Sequence, residues 1–161
     1  VVSAAAAVLA VLDPELPLLT IGDLGIVRDV TVDGDHAVAT LTPTYSGCPA
    51  IAEIAGGVRH ALESAGYVAE VRTRLAPPWS TDWITAEGRR KLTAAGIAPP
   101  GPATVHAGPI PLQLGPPRVV VPCPRCGSDD TDRTADFGAT ACKALYRCGS
   151  CDEPFEAVKA L

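Results

Sequence analysis

The chain has 161 residues, 47% of them apolar and 19% charged, with a formal net charge of −5 and an isoelectric point near 5.1. That length holds one ordinary domain and a smaller one. The acidic balance, with no basic run longer than Arg89-Arg90-Lys91, excludes nucleic acid or an anionic membrane as a partner held by charge. Methionine is absent and aromatics are 4%, so the core has to be built from Ala, Val, Leu and Ile.

The first stretch, Val1 to Leu12, is apolar and Ala-rich. It is too short to span a bilayer. It also lacks a basic leading region, and Asp13-Pro14-Glu15 follows where a cleavable signal would carry small residues. We read it as the first helix of a cytoplasmic protein. In that compartment six cysteines signify metal or thiol chemistry more than disulfides. Asp13-Pro14-Glu15-Leu16-Pro17 stops the helix, and Thr20 to Gly25 is a loop. Ile26–Val32 and His36–Thr42 are predicted strands, joined by the hairpin turn Asp33-Gly34-Asp35.

The second strand runs into Thr42-Pro43-Thr44-Tyr45-Ser46-Gly47-Cys48-Pro49. Pro49 suits a first helical position, where no N–H is needed, and this makes Cys48 the expected N-cap. Unpaired backbone N–H groups and the positive end of the helix dipole favour thiolate over thiol there. A buried, inert cysteine is the competing reading.

Helix two is expected over 49–65, with Ile51, Ile54, Ala55, Val58, Leu62 and Ala65 on one stripe and Gly66 closing it. Gly56-Gly57 inside it serves close packing or is merely tolerated. Tyr67–Leu75 alternates as a strand, with Tyr67, Ala69, Val71, Thr73 and Leu75 facing inward. The order α-β-β-α-β gives an α/β domain of the α+β kind, with a three-stranded mixed sheet and helices on one face. Such a sheet leaves edges that a second copy could cover, so a homodimer is one expectation. Trp79 to Leu92 reads as a last helix, capped at Ser80 or Thr85, with Trp79 and Trp83 on one face.

Between Gly96 and Pro117 lie seven prolines and four glycines, without any period of 2 or 3.6. The expected organisation is a domain over 1–98, a linker over 99–118 and a second domain over 119–161. The last segment holds Cys123-Pro124-Arg125-Cys126 and Cys148-Gly149-Ser150-Cys151. Two Cys-x-x-Cys pairs can converge tetrahedrally on one ion, making a small β-rich zinc ribbon in which metal supplies the folding free energy. Iron in the same four sulfurs and Cys142 as an alternative ligand stay open. Closing two knuckles costs less loop entropy than two separated ligands, which favours Cys148 and Cys151 over Cys142.

Three segments together resemble the SufT-type iron–sulfur assembly domain. They are Asp13-Pro14-Glu15-Leu16-Pro17 with Asp23-Leu24-Gly25, Thr42 to Pro49, and Trp79-Ser80-Thr81-Asp82-Trp83-Ile84. The tail from Cys123, through Phe137 to Cys148, to Glu153-Pro154-Phe155 resembles the zinc ribbon of the PaaD family. The resemblance covers nearly everything except 96–117. It implies an accessory protein of the phenylacetyl-CoA epoxidase system in aerobic phenylacetate degradation. Its implied partners are components of that oxygenase, the di-iron subunit or the iron–sulfur reductase.

Carried over by matching residue, the implied site is Cys48 with Asp13, Glu15 and Asp23 from the preceding loop and Thr44 and Ser46 from the turn. A thiolate with carboxylates suits iron or a cluster held transiently at Cys48, with zinc structural in the ribbon. Asp13, Glu15 and Asp23 suit ordinary turn and cap roles equally well. Three functions are therefore carried forward: an assembly factor, a structural subunit of the same oxygenase, and a thiol enzyme. Against the last, His36 sits in a turn, His60 lies more than two helical turns beyond Cys48, and His106 falls in the linker.

Overall fold

The computed structural model of the chain describes residues 2–45, 47, 49–103 and 120–160. Ser46, Cys48 and most of the expected linker lie outside the described residues. The chain divides into two compact units, 1–91 and 92–161.

In the first unit, α1 spans Ala4–Leu9, capped by the Ser3 side chain, which accepts from the Ala6 N–H. It is shorter than the apolar run because the chain after Ala10 is taken up in pairing. Ile21 N–H donates to Val11 O (2.8 Å) and Asp13 N–H to Leu19 O (3.0 Å). The hairpin forms as expected: β1 (Val27–Asp33) runs antiparallel to β2 (His36–Leu41), and Gly34 supplies φ +60° in the turn. Along β2, Ala37, Ala39 and Leu41 are fully buried.

Helix α2 is Ala50–Ser64, and β3 (Val68–Thr73) returns parallel to β2, so the mixed sheet has the order β1-β2-β3. The expected first helical residue, Pro49, is instead the flanking cap, already at helical angles (φ −67°, ψ −25°). Ile54, Val58 and Leu62 form the buried stripe, each stabilising by about 1.5–3 kcal/mol. A side chain at Gly57 would stand 3.2 Å from Val11 Cγ1, whereas Gly56 faces open space, so only Gly57 serves packing. The helix ends in a Schellman arrangement, with Gly66 at φ +93°, Gly66 N–H on Glu63 O and Tyr67 N–H on Leu62 O. On β3 the alternation holds for Ala69 and Val71, which are half-buried. Thr73 and Leu75 are exposed, because the sheet-facing run ends two residues before the apolar pattern does.

The predicted last helix is two elements. Ser80 caps a three-residue 3-10 turn, Thr81–Trp83, and the Thr85 hydroxyl accepts from Gly88 N–H at the start of α3 (Ala86–Ala94). Both expected caps exist, one per element, and Trp79 and Trp83 therefore do not share a helix face.

The second unit is a four-stranded sheet in the order β4-β7-β6-β5: β4 Ile97–Ala98, β5 Thr131–Ala135, β6 Lys143–Cys148 and β7 Pro154–Val158. Ile97 and Ala98, placed by sequence at the end of the first domain, pair with Glu156 and Ala157 of β7. The core is Ala98, Cys123, Ala144, Tyr146, Cys148, Phe155 and Ala157, with the Tyr146 and Phe155 rings stacked at 5.7 Å.

Candidate functional site

Asp13 is 6% exposed. Its Oδ1 accepts the N–H groups of Glu15 (2.9 Å) and Leu16 (2.8 Å), so it closes the turn at Asp13–Leu16 that follows the first helix. Burial pushes its carboxyl above the ordinary aspartate value. The two N–H donors oppose that rise, and the charge of Glu53 adds to it. Glu53 lies in the first turn of α2, five residues after Cys48. The structure thus sets a second carboxylate near Asp13 that the residue pattern alone did not single out. Its only signal was an acid in the first turn of the helix that Cys48 precedes. Glu15 and Thr44 are half-buried. At the head of the turn Thr42 is 1% exposed, and its hydroxyl has no hydrogen-bond partner among the described residues. Ser46 and Cys48, the other two members of the expected site, lie outside the described residues.

Asp23 is engaged elsewhere. Its Oδ2 accepts from Thr20 N–H (2.9 Å) and Lys91 Nζ (2.7 Å), while its own N–H donates to Thr20 Oγ1 (3.0 Å). Burial alone would raise its pKa, but Lys91 and Thr20 together hold it below the usual carboxylate value. Around it the Asp23-Leu24-Gly25 turn is clasped by residues 79–91. Trp79 Nε1–H donates to Leu24 O (2.9 Å) and Thr85 N–H to Asp23 O (2.9 Å). Gly25 sits at φ +66°, where a Cβ would come within 2.4 Å of Trp83 O, so only glycine fits. Arg28 donates to Gly25 O and lies over the Trp83 ring, 3.8 Å from its centroid. These contacts join two of the sequence motifs into one packed knot.

In the second unit the Sγ atoms of Cys123, Cys126, Cys148 and Cys151 lie within 4.8 Å of one another. Cys123–Cys151 and Cys126–Cys148 are 3.8 and 3.6 Å apart. A tetrahedron with metal–sulfur bonds of about 2.3 Å has edges of about 3.8 Å, so these two edges match a zinc site and the remaining separations stay within 4.8 Å. Cys123 and Cys148 are buried, Cys126 and Cys151 exposed.

The two knuckles repeat one backbone pattern. Cys123 N–H donates to Ser128 O and Gly127 N–H returns to Cys123 O. Likewise Cys148 N–H donates to Glu153 O and Asp152 N–H to Cys148 O. N–H groups of Cys151 and Ser150 bring the Cys148 thiol down to about 7. Cys151 accepts the Glu153 N–H, yet the surrounding sulfurs push it up to about 12. A cation supplies what removes those last protons. Cys142 is not a member of this group; its Sγ lies 3.1 Å from Thr140 Oγ1.

Comparison with known proteins follows the same division. Residues 5–73 match the family model described as iron–sulfur cluster assembly protein, and residues 109–159 match the PaaD zinc beta ribbon domain. The chain is 47% identical, over 92% of its own length and 86% of the relative, to an Escherichia coli (strain K12) protein whose name makes it a component of 1,2-phenylacetyl-CoA epoxidase. Among solved structures it is similar to a domain of unknown function, DUF59, from Bacillus anthracis. That match has 35% identity and a TM-score of 0.52, and covers 55% of this chain and 87% of the other. No helix among the described residues is long and apolar enough to cross a membrane.

Proposed function

For a chain that belongs to the PaaD family of 1,2-phenylacetyl-CoA epoxidase components, we propose a non-catalytic role in maturing the metal centres of that oxygenase. The protein works in the cytoplasm, alongside the di-iron subunit or the iron–sulfur reductase, in aerobic phenylacetate degradation. An assembly domain carries the cargo thiol, Cys48, and the ribbon docks the client through a surface held in shape by its structural zinc.

One observation carries the reading: Asp13 is a carboxylate only 6% exposed whose described hydrogen bonds come from backbone N–H groups alone, so among the described residues no cationic side chain offsets the burial of its charge. A buried carboxylate without a cationic partner marks a place where a cation is expected. Iron or a cluster would be cargo there, held by Cys48 with oxygen donors from Asp13 and Glu15 and from the turn residues Thr44 and Ser46. Asp23 fits this set least well, because Lys91 and Thr20 already occupy its Oδ2. That engagement favours a second reading, in which the loop is architecture and the protein is a structural subunit of the same oxygenase.

Elemental analysis of the purified full-length chain and of Cys48→Ala separates the two. Both should retain about one tightly held ribbon metal per chain. Only the wild type should take up additional iron that a mild chelator removes. Equal labile iron in Cys48→Ala removes the cargo role and leaves the structural one.

A further inference from the structure

The two edges of the first sheet differ in how they are guarded. Edge strand β1 carries a bulge at Arg28, between Val27 and Asp29, and two acids, Asp29 and Asp33. Bulges and like charges are the usual devices against edge pairing. Edge strand β3 has neither. It runs unbroken over Val68–Thr73, without proline or bulge, and no strand pairs with its outer side among the described residues.

Backbone direction on β3 follows from its ladder with β2. Val68 N–H donates to Asp35 O and Arg74 N–H to Leu41 O, so the even-numbered residues bond inward to β2. The N–H and C=O groups of Ala69, Val71 and Thr73 therefore point away from the sheet. Glu70 and Arg72 stand on the face opposite the helices, with side chains 55% and 61% exposed, and form an ion pair at 2.6 Å along the strand.

We propose that β3 pairs antiparallel with β3 of a second copy, about a two-fold axis through Val71, making one continuous six-stranded sheet. In this register Val71 faces Val71 of the second copy, and Ala69 faces Thr73. These are the narrow pairs that exchange backbone bonds, about six in all. The intervening wide pairs set Glu70 against Arg72 of the second copy on both sides of the axis, and Val68 (52% exposed) against the Arg74 stem. Slipping by one step either way puts Glu70 against Glu70 or Arg72 against Arg72. Charge complementarity thus selects both the occupant and the register. The interface is narrow, so the dimer is concentration-dependent.

Sedimentation equilibrium of the full chain tests this. The wild type should shift from monomer to dimer mass with rising concentration. Glu70→Arg and Arg72→Glu should each weaken dimerisation about tenfold or more, and the double exchange E70R/R72E should restore it. Both side chains are exposed, and circular dichroism confirms that the variants fold. A wild type that stays monomeric at high concentration overturns the proposal, as does a dimer indifferent to E70R. So does protection of the Ala69, Val71 and Thr73 amides that arises only when an oxygenase component is added, since another protein then occupies the edge.

Discussion

Gly127 and Asp152 occupy matching places in the ribbon, each one residue past the second cysteine of its knuckle, at φ +75° and +64°. Both N–H groups return to the first cysteine's carbonyl. Gly127 takes this left-handed conformation without cost. Asp152 is the only non-glycine residue with positive φ among the described residues, and a two-bond pair with Arg147 (2.9 and 2.7 Å) holds it there.

The pairing makes the two positions unequal in tolerance. Gly127→Val forces a β-branched residue into positive φ and should destabilise the metal-bound ribbon by about 1–2 kcal/mol. Asp152→Gly should leave it nearly unchanged, trading the Arg147 contact for an unstrained backbone. Thermal melts followed by ribbon amide signals decide between them.

Removing the ribbon metal should unfold one unit and spare the other. With a strong chelator, amide protection in Thr131–Ala135, Lys143–Cys148 and Pro154–Val158 should be lost. The β1-β2-β3 sheet, whose core of Ile54, Val58, Leu62 and Leu41 contains no metal ligand, should keep its protection. Hydrogen exchange with and without chelator reads both at once.

Two glycines with similar φ should respond very differently to alanine. Gly34 (φ +60°) has open space around a Cβ, so Gly34→Ala costs about 1 kcal/mol from backbone strain alone. At Gly25 (φ +66°) the same atom would meet Trp83 O at 2.4 Å. Gly25→Ala should cost a further 1–3 kcal/mol, roughly the penalty of overpacking, and should expose Trp83. Denaturant titration followed by tryptophan fluorescence measures both.

Asp13 and Asp23 should give pH effects of opposite sign. The folded pKa of Asp23 lies below its unfolded value near 3.8. Its contribution is therefore present above that value and lost as pH falls through the lower folded pKa. Asp23→Asn should cost about 1–2 kcal/mol at pH 7, with the difference vanishing in acid. For Asp13 the folded pKa is raised, so ionisation costs stability as pH rises through the window above 3.8. Asp13→Asn, which keeps an acceptor for Glu15 and Leu16, should melt higher than wild type at pH 7. A stabilising substitution at a candidate ligand is the expected mark of a site kept for function.

Much of the fold was legible because local periodicity and burial agree. Ile54, Val58 and Leu62 stand at one helical face in the sequence and in the core, and the Gly34 and Gly66 turns fall where positive φ is needed. The ribbon was legible for a similar reason, since both members of each cysteine pair sit within one turn. What stayed hidden depends on contacts across long sequence separations. Nothing near Asp23 announces Lys91, 68 residues away, nor does Leu24 announce Trp79. The Trp79–Leu92 stretch splits into two elements at the caps its own sequence carries, Ser80 and Thr85, while the clasp on Leu24 and Asp23 comes from elsewhere in the chain. Glu53 was not legible because one acid in a first helical turn reads as a dipole partner, and its charge acts on Asp13 only once the chain is folded.

Delivery of metal through Cys48 is read out in the metal content of the clients. The oxygenase and reductase components are co-produced with wild type or with Cys48→Ala and purified, and their iron is counted. With a Cys48→Ala chain that folds and keeps its ribbon metal, the clients should be deficient in iron. Clients carrying the same iron as those matured beside the wild type would contradict delivery through Cys48.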